Sequence, residues 1–330
     1  MNNFTKYLSN YYNILHKKQK AKYLLSKQIK VSFNKSDSTD ELWILHDKTL
    51  IKNKISNTKI KQSLLDLKFE LANRIFNNCC FCERRCGVNR YIKAGNCKVK
   101  QSVVSSEFLH MDEENILVPS HTIFFSGCTF HCVFCQNWDI SQEVNGLFIS
   151  PGIISETIHK RKNQGSRNVN WVGGDPTPNL FFILKVLEEC NDNIAQIWNS
   201  NMYCSNETMR LLDGIIDIYL TDFKYGNNTC AKKLSKVDNY LEITKRNHKL
   251  AYDNSELIIR HLVMPNHIEC CSKPILKWVS KNIPNSIVNI MAQYKPEYKA
   301  CDYEDINRRV YLEELLAVKE YAEKIGIKQI

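Results

Sequence analysis

Three cysteines, Cys128, Cys132 and Cys135, lie within the ten-residue run Ser126-Gly127-Cys128-Thr129-Phe130-His131-Cys132-Val133-Phe134-Cys135. Their CxxxCxxC spacing lets three thiolates wrap one soft metal centre. A structural zinc ion would want a fourth protein ligand. An iron–sulfur cluster held by three thiolates instead leaves one iron open to a small molecule. His131 sits between ligands, and its side chain is expected to point elsewhere.

A second constellation lies upstream. Cys79, Cys82, Cys86 and Cys97 are spaced CxxC-x3-C-x10-C, with Gly87 and Gly95 supplying tight turns. Four thiolates can close a tetrahedral site, and both zinc and an iron–sulfur cluster would accept them. Cys80 is then a spare. Cys190, Cys204, Cys230, Cys270, Cys271 and Cys301 are scattered and read as buried structural thiols.

These residues need elements to hold them. The chain has 330 residues, 43% hydrophobic and 24% charged, enough for a large core and ordinary for a globular protein. Strands are expected at 121–125, 168–172, 195–199, 215–221, 257–264 and 287–292. Helices are expected at 153–163, 180–190, 207–212, from 230, at 240–247, 274–281 and 303–325. Six β-α units predict a parallel sheet with helices outside, falling short of a closed eightfold barrel. Chemistry then belongs at the C-terminal strand ends, and the Cys128 loop directly follows the first strand.

Charge is unevenly spread. Residues 1–70 hold 14 Lys against 6 Asp and Glu, whereas the whole chain carries +10. Residues 1–75 read as a basic, helix-rich, largely solvated extension, with an amphipathic stretch at 63–76 that could dock on the body. No nucleic-acid motif accompanies the charge. The first thirty residues carry no apolar secretory segment, and no run is long enough to span a membrane. The expected location is cytoplasmic, where thiols stay reduced and many cysteines argue for metal or redox chemistry.

Further polar groups sit at predicted strand ends: Gly173-Gly174-Asp175, Asn199-Ser200-Asn201, Asp222-Phe223-Lys224 and Arg260-His261. Asp222 and Lys224, two apart on a strand end, share a face and could pair. Arg260 suits bidentate recognition of a carboxylate. His261 and His267 read as packing or surface residues.

With Phe134 before its last cysteine, the CxxxCxxC loop resembles that of the radical S-adenosylmethionine (SAM) enzymes. The resemblance implies a partial (β/α)6 TIM-like barrel and a [4Fe-4S] cluster on Cys128, Cys132 and Cys135. It further implies that the open iron chelates SAM, whose reductive cleavage yields a 5′-deoxyadenosyl radical that abstracts hydrogen. Gly173-Gly174-Asp175 is similar to the family's GGE motif, with Asp in place of Glu. The Asp222-x-Lys224 pair, and Arg260 followed by Met264-Pro265-Asn266, resemble the activating enzymes of glycyl radical enzymes such as pyruvate formate-lyase. Gln293-Tyr294-Lys295-Pro296 lacks the His those activases often carry there. On this resemblance Phe134, Gly173, Gly174, Asp175, Asn201, Asp222, Lys224 and Arg260 would bind SAM. The Cys79–Cys97 segment is similar to the CxxCxxxCGVxR piece of a radical SAM subgroup related to these activases, over residues 75–325.

Three domains are expected: the basic extension at 1–75, a Cys-rich metal-binding segment at 76–115 and a radical SAM core at 116–330. The implied function is hydrogen abstraction, activating a glycyl radical enzyme or modifying a protein. Its partners would be SAM and an electron donor such as ferredoxin or flavodoxin. One alternative is a radical SAM enzyme acting on a small molecule. Another is a non-enzymatic zinc or Fe–S binding module, which leaves the Gly-Gly-Asp turn unexplained.

Overall fold

One sheet of eight strands, ordered as in the sequence, organises the chain: β1 (Val104–His110), β2 (Ser120–Phe125), β3 (Asn168–Gly173), β4 (Ala195–Ser200), β5 (Ile218–Asp222), β6 (Glu256–Leu262), β7 (Ile287–Met291) and β8 (Lys328–Gln329). The computed structural model describes residues 4–52, 54–56, 60–112 and 114–330. β2 through β8 are parallel, and β1 pairs antiparallel to β2. The sheet stays open, as the six-unit alternation predicts.

The parallel strands read as apolar runs because both faces are covered. All six residues of β4 are buried. The helices are α1 (Ser9–Leu15), α2 (Lys22–Ser26), α3 (Thr39–Lys52) and α4 (Leu64–Asn77), then α5 (Trp138–Ser141), α6 (Pro151–Asn163), α7 (Leu180–Glu189), α8 (Asn206–Leu212), α9 (Asn228–Ser235), α10 (Tyr240–Asn254), α11 (Lys273–Asn282) and α12 (Leu312–Lys324). β2 to β7 fall where sequence places strands. β1 was not anticipated, because its outer residues are half-exposed and polar. The tail helix begins at Leu312 rather than 303, after Tyr303 and Ile306 have packed under Tyr294, whose hydroxyl donates to Ile306 O at 2.6 Å. Among the described residues, no helix is long and apolar enough to cross a membrane.

The N-terminal segment differs most from expectation. Instead of a solvated extension, it closes the end of the sheet opposite the cysteine loop. Leu8, Tyr11, Ala21 and Tyr23 are fully buried. Glu256, the first residue of β6, accepts the backbone N–H groups of Asn10 (2.6 Å) and Tyr11 (3.0 Å). Asp217, just before β5, accepts that of Lys22 at 3.0 Å. Burial raises both carboxyls, Asp217 to about 6 and Glu256 to about 7. Part of the basic charge is consumed internally. Fully buried Lys68 donates to Arg210 O at 3.1 Å and meets His46 Nε2 at 2.7 Å, and burial pulls its pKa down to about 7.

α4 docks through its amphipathic face, as sequence suggests. A capping box of Ser63 and Asp66 starts it, and Phe69 stacks on Phe181 of α7 with centroids 4.9 Å apart. Its last turn delivers the chain to Cys79.

Candidate active site and cysteine centres

Cys128, Cys132 and Cys135 follow β2 and line a cavity of about 230 Å³ at the C-terminal strand ends. Phe134, Gly173, Gly174, Asn201, Asp222, Lys224 and Arg260 line the same cavity. Of the residues singled out from sequence, Asp175 does not line it. Asp175 is buried behind the cysteine loop, where it accepts Ser200 Oγ at 2.9 Å and Thr129 Oγ1 at 3.2 Å. Burial lifts its pKa to about 6 against the opposing hydrogen bonds. The side chain thus positions β4 and the loop.

Gly173 and Gly174 permit a close approach, first of all between protein segments. Gly173 has φ +131°, and a Cβ there would lie 2.2 Å from the backbone of Phe125. A Cβ on Gly174 would lie 2.2 Å from Gly127 O. Gly174 N donates to Phe125 O and Asp175 N to Gly127 O, so the glycine turn holds the base of the cysteine loop.

Each thiol has its own polar neighbour. Phe130 N (3.3 Å) and Asn201 Nδ2 (3.7 Å) donate to Cys128 Sγ. Ser235 Oγ is 2.9 Å from Cys132 Sγ, and Ser141 Oγ is 3.1 Å from Cys135 Sγ. Without metal, burial pushes all three thiols upward, Cys132 to about 12. Bound iron reverses that preference, because a coordinated thiol is deprotonated. Two buried thiols and the half-buried Cys135, each with a polar group beside its sulfur and all opening on a cavity, fit a cluster with one free position.

The opposite wall is charged. Asp222 accepts from Lys224 Nζ and from Arg260 Nε (3.2 Å), and Arg260 also donates to Asn199 Oδ1. Burial disfavours the Asp222 carboxylate, but the two cations outweigh it and hold the pKa below normal. Asn199 was not singled out in the sequence, although the polar run 199–201 ending a buried strand was the available signal. Tyr294 buttresses Phe134, with rings 5.6 Å apart, and Gln293 beside it lines the cavity where the activases often carry His. His131 points away, to Gln142 Oε1 (2.8 Å) and Asn96 Oδ1 (2.7 Å), as expected. His261 is buried between Phe223 O and Ser272 Oγ.

Cys79, Cys82, Cys86 and Cys97 surround a hollow of only about 10 Å³. Fully buried Arg90 lines it, with one amino nitrogen 3.9 Å from Cys79 Sγ and its Nε and other amino nitrogen lacking a hydrogen-bond partner among the described residues. An underpaired guanidinium among neutral thiols is costly. Beside thiolates on a metal, a net negative centre, it is compensated. The donor set fits a closed site. Cys80 lies outside the hollow. The two centres are neighbours: a Cβ on Gly127 would lie 2.6 Å from Cys97 O, and Arg84 Nε donates to Thr129 O at 2.7 Å.

The scattered cysteines divide. Cys190 and Cys204 are buried, as expected. Cys270 and Cys301 are exposed and Cys230 is half-buried, against the expectation of buried structural thiols. Cys230, Cys270 and Cys271 also converge in space.

Residues 122–279 match the sequence model of the Radical SAM superfamily. The chain is 52% identical, over 94% of its length and 95% of the relative's, to the uncharacterized protein MJ0674 of Methanocaldococcus jannaschii. Among solved structures it is similar to methylornithine synthase (PylB), at 17% identity and TM-score 0.48, covering 93% of this chain and 77% of that one. It is also similar to Streptococcus suis SuiB bound to S-adenosylmethionine, at 16% identity and TM-score 0.47, covering 62% of this chain and 47% of SuiB. The chain thus spans about half of SuiB's length.

Proposed function

We propose, from the premise that this chain belongs to the radical SAM superfamily, that it abstracts a hydrogen atom from a polypeptide segment, in the manner of glycyl-radical-enzyme activases. The superfamily uses a [4Fe-4S] cluster and SAM, which together supply a 5′-deoxyadenosyl radical when bound. Cys128, Cys132 and Cys135 would hold the cluster. Lys224 and Arg260 would meet the methionine carboxylate of SAM, exchanging part of their pairing with Asp222 for it. Asn201 would keep Cys128 aligned, and Phe134 would exclude water from the cluster side. An electron donor such as ferredoxin or flavodoxin would supply the reducing equivalent.

The observation that carries the polypeptide reading is a second hollow beside the first. It also measures about 230 Å³ and shares Arg260, Met291 and Gln293 with it. Asp112, Glu114 and Asn115 line it just after β1, and Asn289 lines it from β7, so it lies where the two edges of the open sheet face each other. A lateral mouth admits an extended segment to the reaction cavity.

One feature favours a small-molecule reading. Buried Glu114 accepts Asn289 Nδ2 at 3.0 Å with one oxygen, and its other oxygen has no hydrogen-bond partner among the described residues, which suits a cationic substrate group. Anaerobic reconstitution with dithionite and SAM decides the shared chemistry: 5′-deoxyadenosine should form in the wild type and be absent in Cys128→Ala. Glu114→Gln separates the readings. It should leave turnover of a peptide substrate largely intact and abolish that of a cationic small molecule.

A further inference from the structure

Three more thiols meet outside both cysteine centres, between the first turn of α9 and the π-helical turn Ile268–Ser272 that follows β6. Cys230 Sγ lies 3.9 Å from Cys270 Sγ, and Cys270 Sγ lies 3.8 Å from Cys271 Sγ. All three sulfurs lie within 4.8 Å of one another. These are non-bonded separations, since a disulfide would bring two sulfurs to about 2.05 Å. They match one ion: tetrahedral Zn–S bonds of about 2.3 Å place sulfurs about 3.8 Å apart.

The surrounding backbone is arranged for this meeting. Gly226 brings the two segments together, since a Cβ there would lie 2.6 Å from Cys270 O and 2.8 Å from Cys271 Cα. Asn227 touches all three cysteines. Its Oδ1 accepts Cys230 N at 2.8 Å, and its Nδ2 donates to Cys270 O at 2.9 Å and to Cys271 Sγ at 3.9 Å. Cys230 stands in the first turn of α9, where helix N–H groups favour a thiolate. Buried His267 adjoins Cys230, and its Nδ1 donates to Pro265 O at 2.8 Å. That bond commits Nδ1 and leaves Nε2 facing Asp305 Oδ2 at 3.7 Å.

The geometry points to a third metal site, in which the thiolates of Cys230, Cys270 and Cys271 hold one zinc-type divalent ion; His267 Nε2 lies outside the 4.8 Å span of the three sulfurs and would have to move in to serve as fourth donor. Binding releases the three thiol protons. The site is far smaller in span than a four-iron cluster and lies outside the reaction cavity, so its role is to brace. α9 begins at this ion and ends at Ser235, whose hydroxyl touches Cys132. The β5 loop that carries Asp222 and Lys224 runs directly into it. The ion would therefore pin one wall of the reaction cavity, whatever the substrate.

Metal analysis of the full-length protein, purified anaerobically, tests this. The double variant Cys230→Ser/Cys271→Ser should contain one zinc per chain fewer than the wild type, with iron per chain unchanged. Should that variant fail to fold, Cys270→Ser at the exposed position serves instead. Its zinc should pass to a competing chelator at a concentration lower by about 100-fold or more than the wild type requires. Cobalt loaded into the wild type should show thiolate-to-cobalt charge transfer that Cys270→Ser weakens. Equal zinc in wild type and variants, or a Cys230–Cys270 disulfide in zinc-free wild-type protein, would overturn the assignment.

Discussion

The Cys128 loop and the Cys79–Cys97 knot present thiols of the same kind in opposite settings. The first has three sulfurs and opens on a cavity of about 230 Å³. The second has four, of which Cys86 is exposed, around about 10 Å³ beside a buried cation. Ligand number and access separate the two: a metal centre that works keeps a position open, and one that supports structure closes every position. Their contact through Gly127 and Cys97 shows that the closed centre also shapes the open one.

The largest expected effect tests the open centre. Cys132→Ala or Cys135→Ala should reduce 5′-deoxyadenosine formation to background while the knot keeps its metal, as measured by metal content per chain. Gly174→Ala should come next. Its Cβ would lie 2.2 Å from Gly127 O, so the loop must shift, at a cost of about 1–3 kcal/mol. Iron should fall at the loop before the knot loses anything, and simultaneous loss from both would blur the distinction between them.

Arg90→Met probes the closed centre. Removing its buried cation should weaken metal retention there by about 10–100-fold in a chelator titration, with 5′-deoxyadenosine yield largely preserved. If yield fell as steeply as retention, the knot would belong to the reaction itself. Glu256→Gln has the smallest reach, since it touches neither centre. Glu256 has a folded pKa raised to about 7, above the unfolded value of about 4.3. Its stabilising contribution is therefore full below about pH 4 and lost as pH rises through 7. The variant should flatten the dependence of unfolding free energy on pH between 5 and 7 by at most about 1.4 kcal/mol per pH unit. Metal content should stay unchanged.

Much of the site was legible before the fold. CxxxCxxC is a local ligand pattern, and Gly173-Gly174, Asn201, Asp222, Lys224 and Arg260 each sit where a periodic strand stops. Strand ends can be read because parallel strands are short apolar runs with abrupt polar termini. Asp175 shows the limit. Its type fits the cavity, but its shorter side chain reaches Ser200 and Thr129 instead. Asn199 and Gln293 stood in runs named from the sequence but were given no role, because polar residues at a strand end announce none until a neighbouring strand supplies a partner. The N-terminal segment misled for a related reason: its lysines look solvated in composition, yet Lys68 is buried and Lys22 is tethered at the sheet.

What the chain determined locally was its alternation of strands and helices, the spacing of seven cysteines in two short segments, and the turns between them. These depend on neighbours along the chain, where covalent geometry sets the distance. The tertiary structure alone decided which strand ends share a cavity, that Arg90 lies against Cys79, and that Cys230 meets Cys270 and Cys271 some forty residues on. Such contacts follow from the packing of βα units around one sheet, which brings distant residues within bonding reach.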